Sequence, residues 1–183
     1  MMILWVDLET TGLVPFNNAV LEVAAILTDS TLEEVDGTTH VIHFDNDTWR
    51  LSFDAIVQDM HSANGLWDAC KASTTSLQDA EQTVIQMLHD NGCAPGTVIL
   101  GGATINFDRA WMEQHMPILF NFLHYRNFDI STLKRVVEMW LPHIVGISPE
   151  SGGMHRARAD IIESINYAKF FRDFAIHPKE LTP

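Results

Sequence analysis

Ile3-Leu4-Trp5-Val6-Asp7-Leu8-Glu9-Thr10-Thr11-Gly12 is the stretch from which the fold and the chemistry of this chain are read. Ile3 to Glu9 has the apolar content of a buried strand, and Thr10-Thr11-Gly12 reads as the turn that ends it. Side chains two apart on a strand leave the same face, so Asp7 and Glu9 point to one side. Two carboxylates at the end of a buried strand are costly unless something pairs with them. Strand ends are also where open α/β sheets build their sites. An isolated Asp-x-Glu is common, however, and its ordinary meaning is an exposed turn. The pair needs company before it means chemistry.

Working outward, Val20 to Thr28 is a second apolar run. Thr39 to Phe44 is a third, with the alternation of an edge or half-exposed strand, and the three fit an antiparallel meander. Ser76 to His89 reads as a helix, with Ser76 as N-cap and Leu77, Ala80, Val84, Met87 and Leu88 on one face. Asn91-Gly92 stops it. Thr97 to Leu100 is a short buried strand ending at Gly101-Gly102, and the chain after Asn106 reads as helical. Tyr125 to Ile130 is a further strand. Ser131 then opens a helix with Leu133, Val136, Val137, Trp140 and Leu141 along one side, ended by Pro142 and Gly146. Pro149 to Met154 is a loop, and a last helix from about Arg156 buries Ile161, Ile165, Ala168 and Phe171. The expected class is α/β: a mixed sheet flanked by helices. Without a repeat or a linker, residues 1–183 read as a single domain.

The chain has 183 residues, 46% hydrophobic and 19% charged, which fits one domain with a real core and excludes a disordered chain. No apolar run has the length of a membrane span, and the start turns acidic too soon for a signal peptide. Cys70 and Cys93 lack metal-ligand spacing and read as free thiols, so a cytoplasmic location is expected. The formal net charge is −13. Proteins that grip long nucleic acid carry a basic surface, because neutralised phosphates supply the affinity. A nucleic-acid substrate of this chain should therefore be short and held by a few local contacts. Part of the acidity has another use, since divalent cations neutralise a carboxylate cluster.

Two further acids join the first pair. Asp108 follows the Gly101-Gly102 strand end near the start of a helix, where the macrodipole alone would also favour a carboxylate. The third element is His155-Arg156-Ala157-Arg158-Ala159-Asp160. Residues five apart on a helix point about 140° from each other. For both to face one site, His155 must lie on the loop or cap and Asp160 about one turn inside the helix. A histidine beside a fixed carboxylate suits a general base, and a surface histidine with a solvated acid is its bland counterpart. Taken together, Asp7, Glu9, Asp108 and Asp160 can hold two Mg²⁺ or Mn²⁺ ions roughly 3.5–4 Å apart, the arrangement for in-line phosphoryl displacement.

Asp7-Leu8-Glu9-Thr10-Thr11-Gly12-Leu13, Asn106-Phe107-Asp108-Arg109, and His155 with Asp160 resemble the DEDDh exonucleases of the ribonuclease H-like fold. His61 to Leu66, Lys71 to Thr74, His124 to Lys134 and His155 to Ser164 bring the resemblance, nearly end to end, closest to the oligoribonuclease family. It implies 3′-to-5′ removal of nucleotides from short RNA, with His155 as general base and the four carboxylates as metal ligands. It also implies that Leu13 wedges between the terminal bases and that His61 sits in the substrate pocket. Thr104 stands where the family places a serine near the 5′ phosphate. Arg126, Ser131 and Thr132, with Tyr125 beside them, resemble residues that cap that phosphate from the second subunit of a homodimer. A guanidinium and hydroxyls at a helix start make a sound phosphate seat, although Arg126 by itself reads as a surface ion pair.

The sequence departs from the family's usual pattern in two places. Ile56 stands where a tryptophan usually stacks on a base, with Trp49 further upstream, and Ala103 replaces an asparagine. Two other readings remain: an exonuclease of the same superfamily acting on longer DNA or RNA, and a catalytically silent nucleotide-binding protein. The net charge and the expected phosphate cap argue against the first, and the filled catalytic positions against the second.

Overall fold

A computed structural model describes residues 1–45, 55–149 and 156–176. Its frame is a five-stranded sheet in the order β3-β2-β1-β4-β5. The strands are β1 (Ile3–Thr10), β2 (Val20–Thr28), β3 (Glu34–Val41), β4 (Ile99–Gly102) and β5 (Asn127–Asp129). The first three form an antiparallel meander. β4 and β5 add in parallel on the other side of β1. The expected mixed sheet is therefore present, with β1 at its centre.

Seven α-helices are described: α1 (Ala55–Ala63), α2 (Leu66–Ala72), α3 (Leu77–Asp90), α4 (Asn106–His115), α5 (Pro117–Phe122), α6 (Ile130–Trp140) and α7 (Ala157–Phe171). Alternation along β1 divides the core into two layers. Leu4, Val6 and Leu8 pack with Val84 and Leu88 of α3 and Trp111 and Met112 of α4. Ile3 and Trp5 pack on the other face against Ala157, Ile161 and Ile165 of α7. Asp7 and Glu9 continue that second series, so they leave β1 on the side that α7 covers. α3 begins as expected, at a capping box in which Ser76 and Asp79 each satisfy the other's backbone N–H. It ends at Asn91, with Gly92 at φ 69°.

Several expectations shift. The third strand runs from Glu34 to Val41, not from Thr39 to Phe44. Its charged first half is an edge strand, where exposed charges block further pairing, so hydropathy does not reveal it. Phe44 instead donates its N–H to the Cys70 carbonyl and packs near Trp67, joining the sheet to α2. β4 and β5 begin two residues later than their apolar runs suggest. The helix expected from Ser131 starts at Ile130, and Asp129 caps it by accepting the Ser131 N–H. Val137 is buried on that helix, but Trp140, expected on the same side, is 72% exposed at its last turn. The short helices α1, α2 and α5 carried too little periodicity to be expected. The loop expected over Pro149 to Met154 lies, apart from Pro149, outside the described residues.

Gly101 and Gly102 let β4 approach β1 closely. A Cβ on Gly101 would lie 2.8 Å from Ile3 Cγ2 and 3.1 Å from the Trp5 ring. Overpacking of this kind costs about 1–3 kcal/mol. Gly101→Ala should therefore destabilise the chain by that amount in urea unfolding, and an unchanged midpoint would mean that the strands part without strain.

Candidate active site

The site lies where β1 outruns β4. β4 pairs with β1 only as far as Trp5. Past Gly102 the chain turns through Thr104, at φ 54°, and enters α4. N–H groups further along that edge of β1 therefore need other partners. Asp108, in the first turn of α4, meets this need: its Oδ1 accepts the Leu8 N–H at 3.0 Å. One carboxylate thus completes the strand and stands at its end.

Asp7, Glu9 and Asp160 offer carboxylate oxygens that all lie within 4.8 Å of one another. Asp160 arrives from the first turn of α7, whose N-cap is Arg156. These three residues, Asp108, Leu13, Ala103, Thr104 and Phe107 line one open cavity of about 310 Å³. Asp108 faces this cavity from the α4 side and is not part of the tight triplet. The structure therefore brings together all four predicted carboxylates. His155, the predicted base, lies outside the described residues.

Crowding of like charge away from water dominates the electrostatics. Burial pushes the Asp7 carboxyl up to about 8, and Glu9, Asp160 and Glu22 push in the same direction. Glu9 is raised to about 7 by burial, Asp160, Glu22 and Asp108, while Arg156 pulls it down. Asp108 is held well above the usual carboxylate range by burial and by Asp7, against the opposing Leu8 N–H bond. An array of hard oxygen donors with more negative charge than its surroundings offset has the chemistry of a divalent-cation site. The residues fit such a cation.

The other predicted residues divide into two groups. Leu13 is 79% exposed at the cavity rim. Its loop is tied down by bonds from Asn18 to the Val14 carbonyl and from His115 to the Pro15 carbonyl. Thr104, also on the rim, receives Ser131 of the same chain: Ser131 Oγ lies 2.9 Å from both the Thr104 N and Oγ1. Thr132 bonds back to Asp129. Tyr125 is exposed, stacked on His124 and overlain by the Arg126 guanidinium at 5.2 Å. His61 is placed differently. It is fully buried, with Nε2 3.0 Å from the Thr10 carbonyl and its ring edge-on to Trp67. It braces the end of β1 and is not among the residues lining the cavity.

Sequence reasoning missed Glu22. This residue sits inside the apolar run of β2, opposite Glu9, and its side chain is 1% exposed. A single acid inside the apolar run from Val20 to Leu27 was the available signal.

Comparison with known proteins agrees with this geometry. The RNase T exonuclease family matches residues 4–168. The oligoribonuclease of Mycobacterium bovis (strain BCG / Pasteur 1173P2) is 39% identical over 178 residues, covering 97% of this chain and 82% of the relative. The chain belongs to the oligoribonuclease family of exonucleases. The oligoribonuclease of Rhodococcus jostii (strain RHA1) is likewise 39% identical, over 97% of this chain and 89% of its own. Among solved structures, the zinc-bound complex of E. coli exonuclease I with single-stranded DNA superposes with a TM-score of 0.70 at 15% identity, over 93% of this chain. The exonuclease I of Methylocaldum szegediense gives 0.61 at 18% identity, over 96%. This chain spans only 40% and 41% of those two proteins, so the likeness establishes the shared ribonuclease H-like fold.

The raised carboxyls carry a sign. A carboxyl whose folded pKa lies above its unfolded one stabilises the fold at low pH, and this contribution is lost as pH rises through the folded value. For Asp7 the window runs from 3.8 to about 8, and for Glu9 from 4.5 to about 7. The melting temperature of metal-free protein should fall across this range, and Asp7→Asn should flatten the fall. A slope unchanged by that substitution would contradict the assignment.

Proposed function

We propose that the chain is a 3′-to-5′ exoribonuclease that degrades short oligoribonucleotides, dinucleotides to a few nucleotides, to mononucleotides. The observation that carries the reading is the triplet of Asp7, Glu9 and Asp160, one buried and two half-buried, whose carboxylate oxygens gather within 4.8 Å of one another where β1 ends and α7 begins. Family membership supplies the substrate class, since the relatives that match most of the chain are named oligoribonucleases. The net charge of −13 suits a short substrate held by local contacts.

Asp7, Glu9, Asp108 and Asp160 would hold two Mg²⁺ or Mn²⁺ ions. Bound there, such ions would supply positive charge at the scissile phosphate and lower the pKa of water. His155 is the proposed general base, taking the proton of the attacking water. Leu13, exposed at the rim, wedges between the last two bases. The Thr104 hydroxyl lies beside Ser131 at the same rim and, with Thr132, suits the 5′ phosphate end. Arg126 and Tyr125 are exposed next to each other, and in a homodimer they would offer a guanidinium and a ring to the partner's substrate. His61 acts on the substrate through the end of β1, which it braces. The buried thiols of Cys70, raised to about 12 by burial, and Cys93 suit a reducing cytoplasm. Among the described residues, no helix is long and apolar enough to cross a membrane.

Ile56 lies 77% exposed on α1, an apolar side chain without a ring to stack. Base–aromatic stacking is worth about 1–3 kcal/mol, so the short-substrate preference here rests on the 5′-end contacts rather than on a stacked base.

Incubation with 5′-labelled RNA of two, seven and twenty nucleotides, with Mn²⁺ or with EDTA, tests the proposal. Rapid metal-dependent loss of the dinucleotide with little trimming of the twenty-mer is expected. Equal trimming of the twenty-mer would replace it with a general exonuclease.

A further inference from the structure

Glu22 is a buried acid for which the proposed chemistry has no direct use. It pairs with Glu9 across β1 and β2, so its charge adds to the repulsion at the site. What holds it is the start of α7. Its two oxygens accept Arg156 Nη2 at 2.6 Å, Arg156 Nε at 3.2 and 3.3 Å, and the Ala157 N–H at 3.0 Å. Arg156 is the N-cap of α7 and its own side chain makes no capping bond. A strand carboxylate therefore caps this helix from outside it, and the fork of the guanidinium fixes the direction of approach.

The consequence falls on Asp160, one turn further along α7. The Asp160 N–H bonds to the Arg156 carbonyl at 3.2 Å, closing the turn that carries the Asp160 carboxylate into the cavity. Stability alone gives poor reason for this arrangement. Apolar residues of similar volume commonly stabilise as well as a buried ion pair does, or better. A pair that specifies direction and register does something an apolar contact cannot. The next arginine provides a contrast in its acid: the two guanidiniums are similarly exposed, but Arg158 meets Glu34 at 2.8 Å with the acid 47% exposed, an ordinary surface bridge, whereas Glu22 is 1% exposed.

We propose that the Glu22–Arg156 clamp is the positioning device of the site, setting the start of α7 and thereby where Asp160 stands relative to Asp7 and Glu9. Glu22 and Arg156 are positioning residues, not catalytic ones. The proposal rests on the active-site reading above, and its test includes a measurement that needs no activity.

Two readouts on the full chain decide it. The first is amide hydrogen exchange of the metal-free protein at Ala157 to Asp160. The second is steady-state cleavage of a dinucleotide at saturating Mn²⁺, well below the melting temperature. Removing a partner that orients metal ligands typically costs about 10- to 100-fold. Glu22→Gln should accelerate exchange at those four amides by at least about tenfold, and lower kcat on the order of tenfold with KM nearly unchanged. Arg156→Lys, which keeps the charge and loses the fork, should fall between Glu22→Gln and wild type. Glu34→Gln should match wild type in both readouts. Unchanged local exchange and unchanged kcat in folded Glu22→Gln would overturn the proposal. So would uniform acceleration across the sheet with kcat per folded molecule intact, since that describes a merely structural pair. If Glu22→Gln does not fold, Arg156→Lys decides on the same criteria. Wild-type protein inactive on every RNA would sink the exoribonuclease reading, and the exchange contrast alone would then decide the clamp.

Discussion

Mutual repulsion among carboxylates crowded together, three buried and two half-buried, is the constraint around which this structure is arranged. Asp7 and Glu9 leave the same face of β1, Glu22 stands opposite Glu9 on β2, and Asp108 and Asp160 close in from α4 and α7. In water these groups would ionise near pH 4 and scarcely sense one another. Here burial and proximity hold Asp7 and Glu9 up at about 8 and about 7. Such an arrangement is unfavourable by itself and persists because the surrounding frame leaves the side chains no alternative.

The acids are held from several elements, and the holds on Asp108 and Glu22 each perform a second task. Asp108 satisfies an N–H that β4 leaves behind when it departs from β1. Glu22 is neutralised by Arg156 and in return caps α7. Asp7 and Glu9 continue the series of Ile3 and Trp5, whose packing against α7 fixes the strand's rotation. His61 secures the strand's last carbonyl. The charges can therefore sit close together because none of the four supports depends on a flexible side chain alone. Preorganisation of this kind places binding groups before the substrate arrives.

Much of this was legible in the sequence because periodicity and charge conflict visibly in the segments concerned. Acids at the end of an apolar run announced β1 and its site, and the spacing from His155 to Asp160 required a helix to start between them, as α7 does at Ala157. Other features stayed hidden for physical reasons. Glu34 to Gly37 form an edge strand whose charges look like loop. Trp140 obeys the period of its helix but reaches beyond the packed face. The contact of His61 with the Thr10 carbonyl joins residues 51 apart, which no local pattern connects. Glu22 needed the third dimension, since its partner Arg156 lies far along the chain and no local pattern joins them.

Whether the clustered carboxylates form a cation site is tested most directly by calorimetric titration of Mn²⁺ into metal-free protein at pH 7. Run in two buffers of different ionisation enthalpy, the titration reports protons released on binding. With carboxyls raised to about 8 and about 7, binding must displace protons, so the observed heats should depend on the buffer and this dependence should shrink in Asp7→Asn. Absence of Mn²⁺ binding, or binding whose heat is the same in both buffers, would contradict the account.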